Sequence, residues 1–309
     1  MAQQTVTLPV NTQYQRRIRD ILAAADFEFF DAPHAFYRAK GTGCTAVFYR
    51  SGKLVLQGPN AQTLAAVLGL EEPAVPDAPT EPDAGTRFAE ALARHPDPKP
   101  EAWIGQDEVG KGDYFGPLVV VAARVERDRV ELLAELGVTD SKVLGDKQMR
   151  AMAKDLRAVV SHQAVILDPP AYNRLYAKIG NLNRLLAWAH ARALEDLLAE
   201  APATYALVDK FADQRVLARA LMEEGRAISV EQRTKAESDP AVATASILAR
   251  DLFLGRMDRL SRSAQMTVPR GAGAPVLAAG HKLVAKHGPD ALERFAKLHF
   301  KTTGQILRR

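Results

Sequence analysis

Residues 104–117 read IGQDEVGKGDYFGP. A short apolar run ends in two adjacent carboxylates, Asp107 and Glu108, and a loop with Gly110, Gly112 and Gly116 follows at once. Neighbouring side chains on a strand point to opposite faces, so both acids can serve one site only where the strand breaks. Glycines supply such a break, because they adopt backbone angles that other residues avoid and let a ligand approach the main chain. The stretch therefore predicts a strand, an acidic pair suited to a metal ion, and a groove lined by backbone. A solvated turn carrying an Asp-Glu pair is the plain alternative.

Two further carboxylates fall where such a site would want them. Asp209 ends the apolar run TYALV, and Glu237 lies in QRTKAESDP, just before the helix that Asp239-Pro240 opens. Acids at strand ends and at a helix start meet at one edge of an α/β sheet, where open sheets of this class bind ligands. Four such carboxylates stay ionised together only with cations between them. Hard oxygen donors without His or Cys suit Mg²⁺ or Mn²⁺, and a pair of these ions is the arrangement that in-line phosphodiester hydrolysis uses. Taken singly, each acid also reads as an N-cap, a turn residue or a surface charge.

Gly105–Gly112 reads GQDEVGKG, close to the phosphate-loop pattern GxxxxGK[ST]. Gly112 stands where the hydroxyl that ligates Mg²⁺ would be, and Asp107 and Glu108 would place negative charge inside a phosphate cradle. Electrostatics argue against a nucleoside triphosphate site. A phosphate-loop ATPase and a non-catalytic nucleic-acid binder remain the alternatives to a nuclease.

Around this core the chain divides by composition. Residues 1–70 carry seven basic and four acidic side chains, residues 71–100 three and seven. The middle stretch, EEPAVPDAPTEPDAG and then PDPKP, reads as an extended Pro- and acid-rich linker over 71–100, with a short helix at 87–95. Before it, helical spacing of Ile18, Leu22 and Ala25 and alternating runs at 35–40, 45–49 and 53–57 predict a small α+β domain over 1–70. Tyr37, Arg38, Lys40, Tyr49, Arg50 and Lys53 interleave aromatics and cations in the manner of nucleic-acid binders; a half-exposed sheet is the simpler reading. After the linker, strands at 102–106, 118–125, 205–208 and 227–231 alternate with helices at 146–159, 184–200 and 239–259. The sum over 101–309 is an α/β domain with a mixed central sheet.

The 309 residues are 47% hydrophobic and 25% charged with a net charge of +4, ample for a core and mildly basic. The single cysteine, Cys44, excludes an intramolecular disulfide and a cysteine-based zinc site, and suits a reducing compartment. The start MAQQTVTLPV lacks the features of a signal peptide, and the longest apolar run, 117–123, is too short to span a bilayer. A cytoplasmic monomer with no membrane partner is expected. His281, His287 and His299 are expected to pack or cap, and Trp188 and Tyr172 to lie in the core.

Taken together, DEVGKGDYFGP at 107–117, GVTDSK at 137–142, YALVDKF at 205–211, TKAES at 234–238, ASILAR at 245–250 and KLHFKT at 297–302 resemble type 2 ribonucleases H, and more closely their ribonuclease HIII branch. The stretch YRAKGTGCTAVFYRSGKLVLQG at 37–58 is similar to that branch's amino-terminal domain, which has the TATA-binding-protein fold. The resemblance implies a ribonuclease H-like mixed sheet flanked by helices. It implies hydrolysis of the RNA strand of RNA/DNA hybrids by two divalent ions, Mg²⁺ or Mn²⁺, leaving 5′-phosphate and 3′-hydroxyl ends. Asp107, Glu108, Asp209 and Glu237 occupy the family's four catalytic and metal-holding positions. Gly110, Lys111 and Gly112 fall where relatives carry a Gly-Arg-Gly loop whose backbone contacts 2′-hydroxyls, the handle that tells RNA from DNA. Ser141, Lys142 and Lys235 are the implied phosphate contacts, and the amino-terminal domain is implied to hold the hybrid.

Overall fold

Alternation of apolar and polar residues between positions 35 and 57 folds, as expected, into an antiparallel sheet. The structure, a computed structural model, describes residues 5–10, 12–32, 35–41, 43–50, 52–68, 84–138 and 145–308. Chain contacts divide them into two units, with the boundary between Glu81 and Pro82. In the first unit, β1 (Thr5–Pro9), β2 (Glu28–Phe30), β3 (Ala35–Gly41), β4 (Cys44–Tyr49) and β5 (Lys53–Gln57) pair in the order β1-β5-β4-β3-β2. β1 and β2 were not legible as strands. One face buries Leu8, Tyr37, Ala39, Ala46, Phe48, Leu54 and Leu56 with Ile18 and Leu22 of helix Gln15–Ala24 and Leu64 of helix Ala61–Val67. Arg38, Lys40 and Lys53 are exposed and Tyr49 is half-buried.

One member of the expected aromatic and cationic surface is on the wrong side. Tyr37 is only 2% exposed, and its hydroxyl donates to the main-chain oxygen of Gln15. Strand alternation puts it on the face opposite Arg38, so it belongs to the core.

The second unit is built on β6 (Ala102–Val109), β7 (Leu118–Glu126), β8 (Ser161–Leu167), β9 (Tyr205–Asp209) and β10 (Ser229–Arg233). Their order is β10-β9-β6-β7-β8, with β6, β9 and β10 mutually parallel and β7 antiparallel to both neighbours. β7 is apolar almost throughout because both its faces are covered. Val119, Val121 and Ala123 pack in the layer that contains helix Pro240–Ala264, while Val120 and Ala122 meet helix Leu182–Glu200. The expected α/β class with a mixed sheet flanked by helices is what the chain adopts.

The segment expected as linker differs in its second half. Residues 69–83 lie outside the described residues, but helix Ala84–Ala93 buries Phe88 in the core of the second unit. His95 beyond it is buried as well. Lys99 closes the helix end by donating to the main-chain oxygens of Ala93 and His95 at 2.9 and 2.7 Å. Pro- and acid-rich composition hid this packing, because the inward side chains Phe88, Ala91, His95 and Pro100 are scattered among exposed polar neighbours.

Helix Pro240–Ala264 starts against β6 with no side chain between them. A Cβ on Gly105 would lie 2.2 Å from the main-chain carbon of Ala241 and from the nitrogen of Val242. Asp239 caps this helix, accepting from the amides of Ala241 (2.9 Å) and Val242 (3.3 Å). The same carboxylate accepts from Trp103 Nε1 at 3.0 Å and pairs with His95 Nε2 at 2.7 Å.

Gly105→Ala should therefore destabilise the protein by about 2 kcal/mol or more, the upper part of the range for overpacking a core. Urea unfolding of the variant beside the parent protein checks this, since an unchanged midpoint would mean the helix start has room to move.

Candidate active site

β6 and β9 are parallel neighbours paired Ile104 to Ala206, Gly105 to Leu207 and Gln106 to Val208. The next residues in this register are Asp107 and Asp209, so the two carboxylates stand side by side at the carboxyl ends of adjacent strands. Side chains alternate along each strand. Asp107 therefore shares the face of Gly105, toward helix Pro240–Ala264, and the buried Ser246 of that helix hydrogen-bonds it. Glu108 takes the opposite face, toward helix Leu182–Glu200, where His190 Nε2 lies 3.2 Å from its carboxylate.

The strand break expected beside the acids comes later. The β6–β7 ladder runs on to Val109 paired with Val119, and the chain turns only at Gly110. There φ is +94° and a Cβ would collide with the Pro117 oxygen at 2.1 Å, so only glycine fits. The two acids thus straddle the rim of the sheet. The glycine loop bears on Glu108 through Lys111, whose ammonium lies 3.6 Å from its carboxylate.

Asp209 Oδ1 accepts from the amide of Ala236 at 3.1 Å. Ala236 opens the short 3-10 turn Ala236–Ser238, so Glu237 is the residue directly after the amide that Asp209 holds. Glu237 is half-buried. Lys235, just before the turn, is exposed and has a left-handed backbone with φ of +55°. The rim thus gathers the segments bearing all four acids. Among the described residues, no three acidic, imidazole or thiol side chains are grouped closely enough to enclose an ion. Ser141 and Lys142 lie outside the described residues.

Charge at the rim is divided unevenly. Burial pushes the Asp107 carboxyl up to about 7, with the negative charges of Glu108 and Asp209 adding to the effect and hydrogen bonds from Ser246 and the Glu108 amide opposing it. Burial would raise Glu108 too, but the hydrogen bond and charge of His190 and the nearby Lys111 ammonium outweigh it and hold that carboxyl below its ordinary value. Neighbouring acids pushed in opposite directions mark a site that handles protons or cations. Carboxylate oxygens are hard donors of the kind that suits Mg²⁺ or Mn²⁺, and Asp107, Glu108, Asp209 and Glu237 are the residues that could hold such an ion.

His190 escaped the sequence reading. It is fully buried, its ring stacks on Phe211 with centroids 4.7 Å apart and planes 4° apart, and its main-chain oxygen accepts from Gln106. Its only signal was a polar residue on the buried stripe of an otherwise Ala- and Leu-rich helix. Lys297, also unnoticed, is completely buried beneath the loop that follows Gly112. Two of the three histidines set aside do pack: His299 stacks on Tyr176 with centroids 4.1 Å apart, and His287 lies 3.2 Å from the Ala264 oxygen. His281 instead is exposed in the middle of helix Ala274–His287. Tyr172 is a core residue as expected, and Trp188 packs at the core's edge.

A family model described as Ribonuclease HII matches residues 104–303, and one described as Domain of unknown function (DUF3378) matches residues 11–81. Ribonuclease HIII of Bacillus subtilis (strain 168) is 40% identical over 281 residues, covering 89% of this chain and 88% of that one. Ribonuclease HIII of Exiguobacterium sibiricum is 39% identical over 278 residues, with 88% and 87% covered. Among solved structures, Bst-RNase HIII in complex with Mn²⁺ is 33% identical, covers 98% of both chains and superposes with a TM-score of 0.65. Similarity at this level, along nearly the whole length and over both units, places the chain in the ribonuclease HIII family.

Proposed function

We propose that this enzyme is an endoribonuclease that hydrolyses the RNA strand of RNA/DNA hybrids with two divalent ions, Mg²⁺ or Mn²⁺, leaving 5′-phosphate and 3′-hydroxyl ends. Its family membership supports the ribonuclease H activity on hybrids. The observation that carries the metal-dependent chemistry is the side-by-side register of Asp107 and Asp209, with Glu108 and the Glu237 turn on the same rim. Bound divalent ions would offset the repulsion among these acids and supply the positive charge against which water attacks a phosphodiester. His190 orients Glu108 from behind, and Ser246 orients Asp107. Lys111, Lys235, Ser141 and Lys142 are the proposed phosphate contacts, and the backbone of Gly110–Gly112, which emerges to solvent at Gly112, is the proposed reader of 2′-hydroxyls.

The first unit is proposed to hold the hybrid on the sheet face that carries Arg38, Lys40 and Lys53. Cations on a broad, half-polar face suit contacts to phosphates without sequence preference.

Asp107→Asn should lower Mg²⁺-dependent cleavage of a labelled hybrid by about a thousandfold, roughly 4 kcal/mol of barrier; cleavage within tenfold of the parent protein would sink the assignment. The same variant carries a stability signature. The folded carboxyl titrates near 7 and the unfolded one near 4. Between these values only the folded state holds the proton, so metal-free stability falls as pH rises through this window. Metal-free Asp107→Asn should therefore be more stable than the parent protein at pH 8, by about 1–2 kcal/mol, with the gap narrowing toward pH 5.

His190→Ala, which removes an orienting partner of a metal-holding carboxylate, should reduce activity roughly 10–100-fold and raise the Mn²⁺ concentration needed for half-maximal cleavage. An unchanged metal requirement would assign His190 to packing alone. Replacing Arg38, Lys40 and Lys53 together by Gln should weaken hybrid binding and flatten its salt dependence while leaving the single-turnover rate at saturation unchanged. Unaltered affinity would remove the first unit from substrate binding.

A further inference from the structure

The loop after the acidic pair has two halves of opposite character. From Asp113 to Gly116 its main chain is tied on both flanks. On one flank the Tyr114 amide donates to the Gly271 oxygen at 2.9 Å, and the Gly271 amide donates to Asp113 Oδ1 at 2.6 Å. On the other, the Gly116 amide donates to Phe295, Phe115 bridges to Ala296, and the Lys297 amide donates to the Tyr114 oxygen at 2.8 Å. The amides of Lys111 and Gly112, by contrast, donate to no acceptor among the described residues. Gly112 is exposed, with nothing within 4 Å of where a Cβ would be.

The tied half closes on Lys297. Its side chain is wholly buried, and Nζ donates to the main-chain oxygens of Asp113 at 2.7 Å and Gly116 at 2.8 Å, with the Tyr172 ring 5.6 Å away. Burial pulls this ammonium down to about 7, against the opposing charge of Asp113. An amine placed at that cost is a poor choice for stability alone, since apolar packing often serves as well. Its two bonds join carbonyls three residues apart, and so fix the curvature of the segment leaving Gly112.

We propose that Lys297 is a positioning residue for RNA recognition: by pinning the oxygens of Asp113 and Gly116 it holds the free amides of Lys111 and Gly112 in the orientation that receives the 2′-hydroxyls of the RNA strand. This rests on the hybrid-cleaving function proposed above. Lys297 acts through the loop and touches no reacting atom. Its removal loosens a preorganised contact, so the loss appears in binding and in the choice of RNA-containing strand, and not in the chemical step.

The test compares the parent chain with Lys297→Met and Asn173→Ala at a temperature well below their unfolding midpoints. Asn173 seats the same segment from outside, donating to the Ala296 oxygen at 2.9 Å and accepting from the Leu298 amide at 3.0 Å, and its loss leaves the buried lysine in place. Affinities are measured for an RNA/DNA hybrid and for a DNA duplex of the same sequence, with the turnover rate at saturating hybrid. Lys297→Met should weaken hybrid binding about tenfold, leave duplex binding within about twofold and change the saturated rate by less than about threefold. Asn173→Ala should show the same pattern at smaller size. A lower unfolding midpoint with an unchanged hybrid-to-duplex ratio would overturn the proposal, and if Lys297→Met does not fold, an unchanged ratio in Asn173→Ala overturns it equally. A parent protein that shows no preference for hybrid over duplex would overturn the recognition reading of the loop itself, and this proposal with it.

Discussion

One buried carboxylate joins three separate parts of the catalytic unit. Asp239 caps helix Pro240–Ala264, accepts from Trp103 on β6 and pairs with His95 from the segment ahead of that strand. A carboxylate that is 1% exposed is tolerable only when its oxygens are all engaged, and here two helix amides, an indole and an imidazole engage them. The consequence for the rim is direct. Glu237 sits two residues before the cap, and the turn that carries it also supplies, from Ala236, the amide that Asp209 accepts. Strand β6, which presents Asp107 and Glu108, is held by the same carboxylate through Trp103. The acids are thus positioned by hydrogen bonds on their far side, away from any ligand.

Electrostatics at the rim follow from the sheet's own geometry. Parallel register brings Asp107 beside Asp209, and alternation sends Glu108 to the opposite layer, where His190 waits. One acid is thereby crowded by like charge in a confined place, and the other is relieved by a basic partner. The asymmetry needs no special residue at the centre, only a strand whose last turns carry Asp then Glu and two helices that differ in what they offer.

Much of this was legible in the chain. The apolar run at 118–125 announced a doubly covered strand, the Pro after Asp239 announced the helix start, and the acids at strand ends announced the rim. What escaped falls into two kinds. His95, His190 and Lys297 are polar residues whose partners lie 82 to 184 positions away in the chain, and no local pattern encodes such pairs. The edge strands β1, β2 and β8 are short or weakly alternating, and are defined by what they pair with. Tyr37 is a different case: the alternation around it is readable in the chain and puts it on the inward face, opposite Arg38. The helix expected at 87–95 forms at Ala84–Ala93, but its packing was masked by its surroundings, since Phe88 supplies its main anchor amid Pro and acidic neighbours.

The cap has an optical consequence. The chain carries two tryptophans, and they sit in opposite layers of the sheet, Trp103 with helix Pro240–Ala264 and Trp188 with the other layer. Trp103 is fully buried, hydrogen-bonded to Asp239, and edge-on to His95 with ring centroids 4.8 Å apart. Its emission is therefore governed by the one junction that orders the Glu237 turn. With Trp188 replaced by Phe, the molecule's own fluorescence becomes a reporter of whether that junction is intact, readable without a label and without substrate.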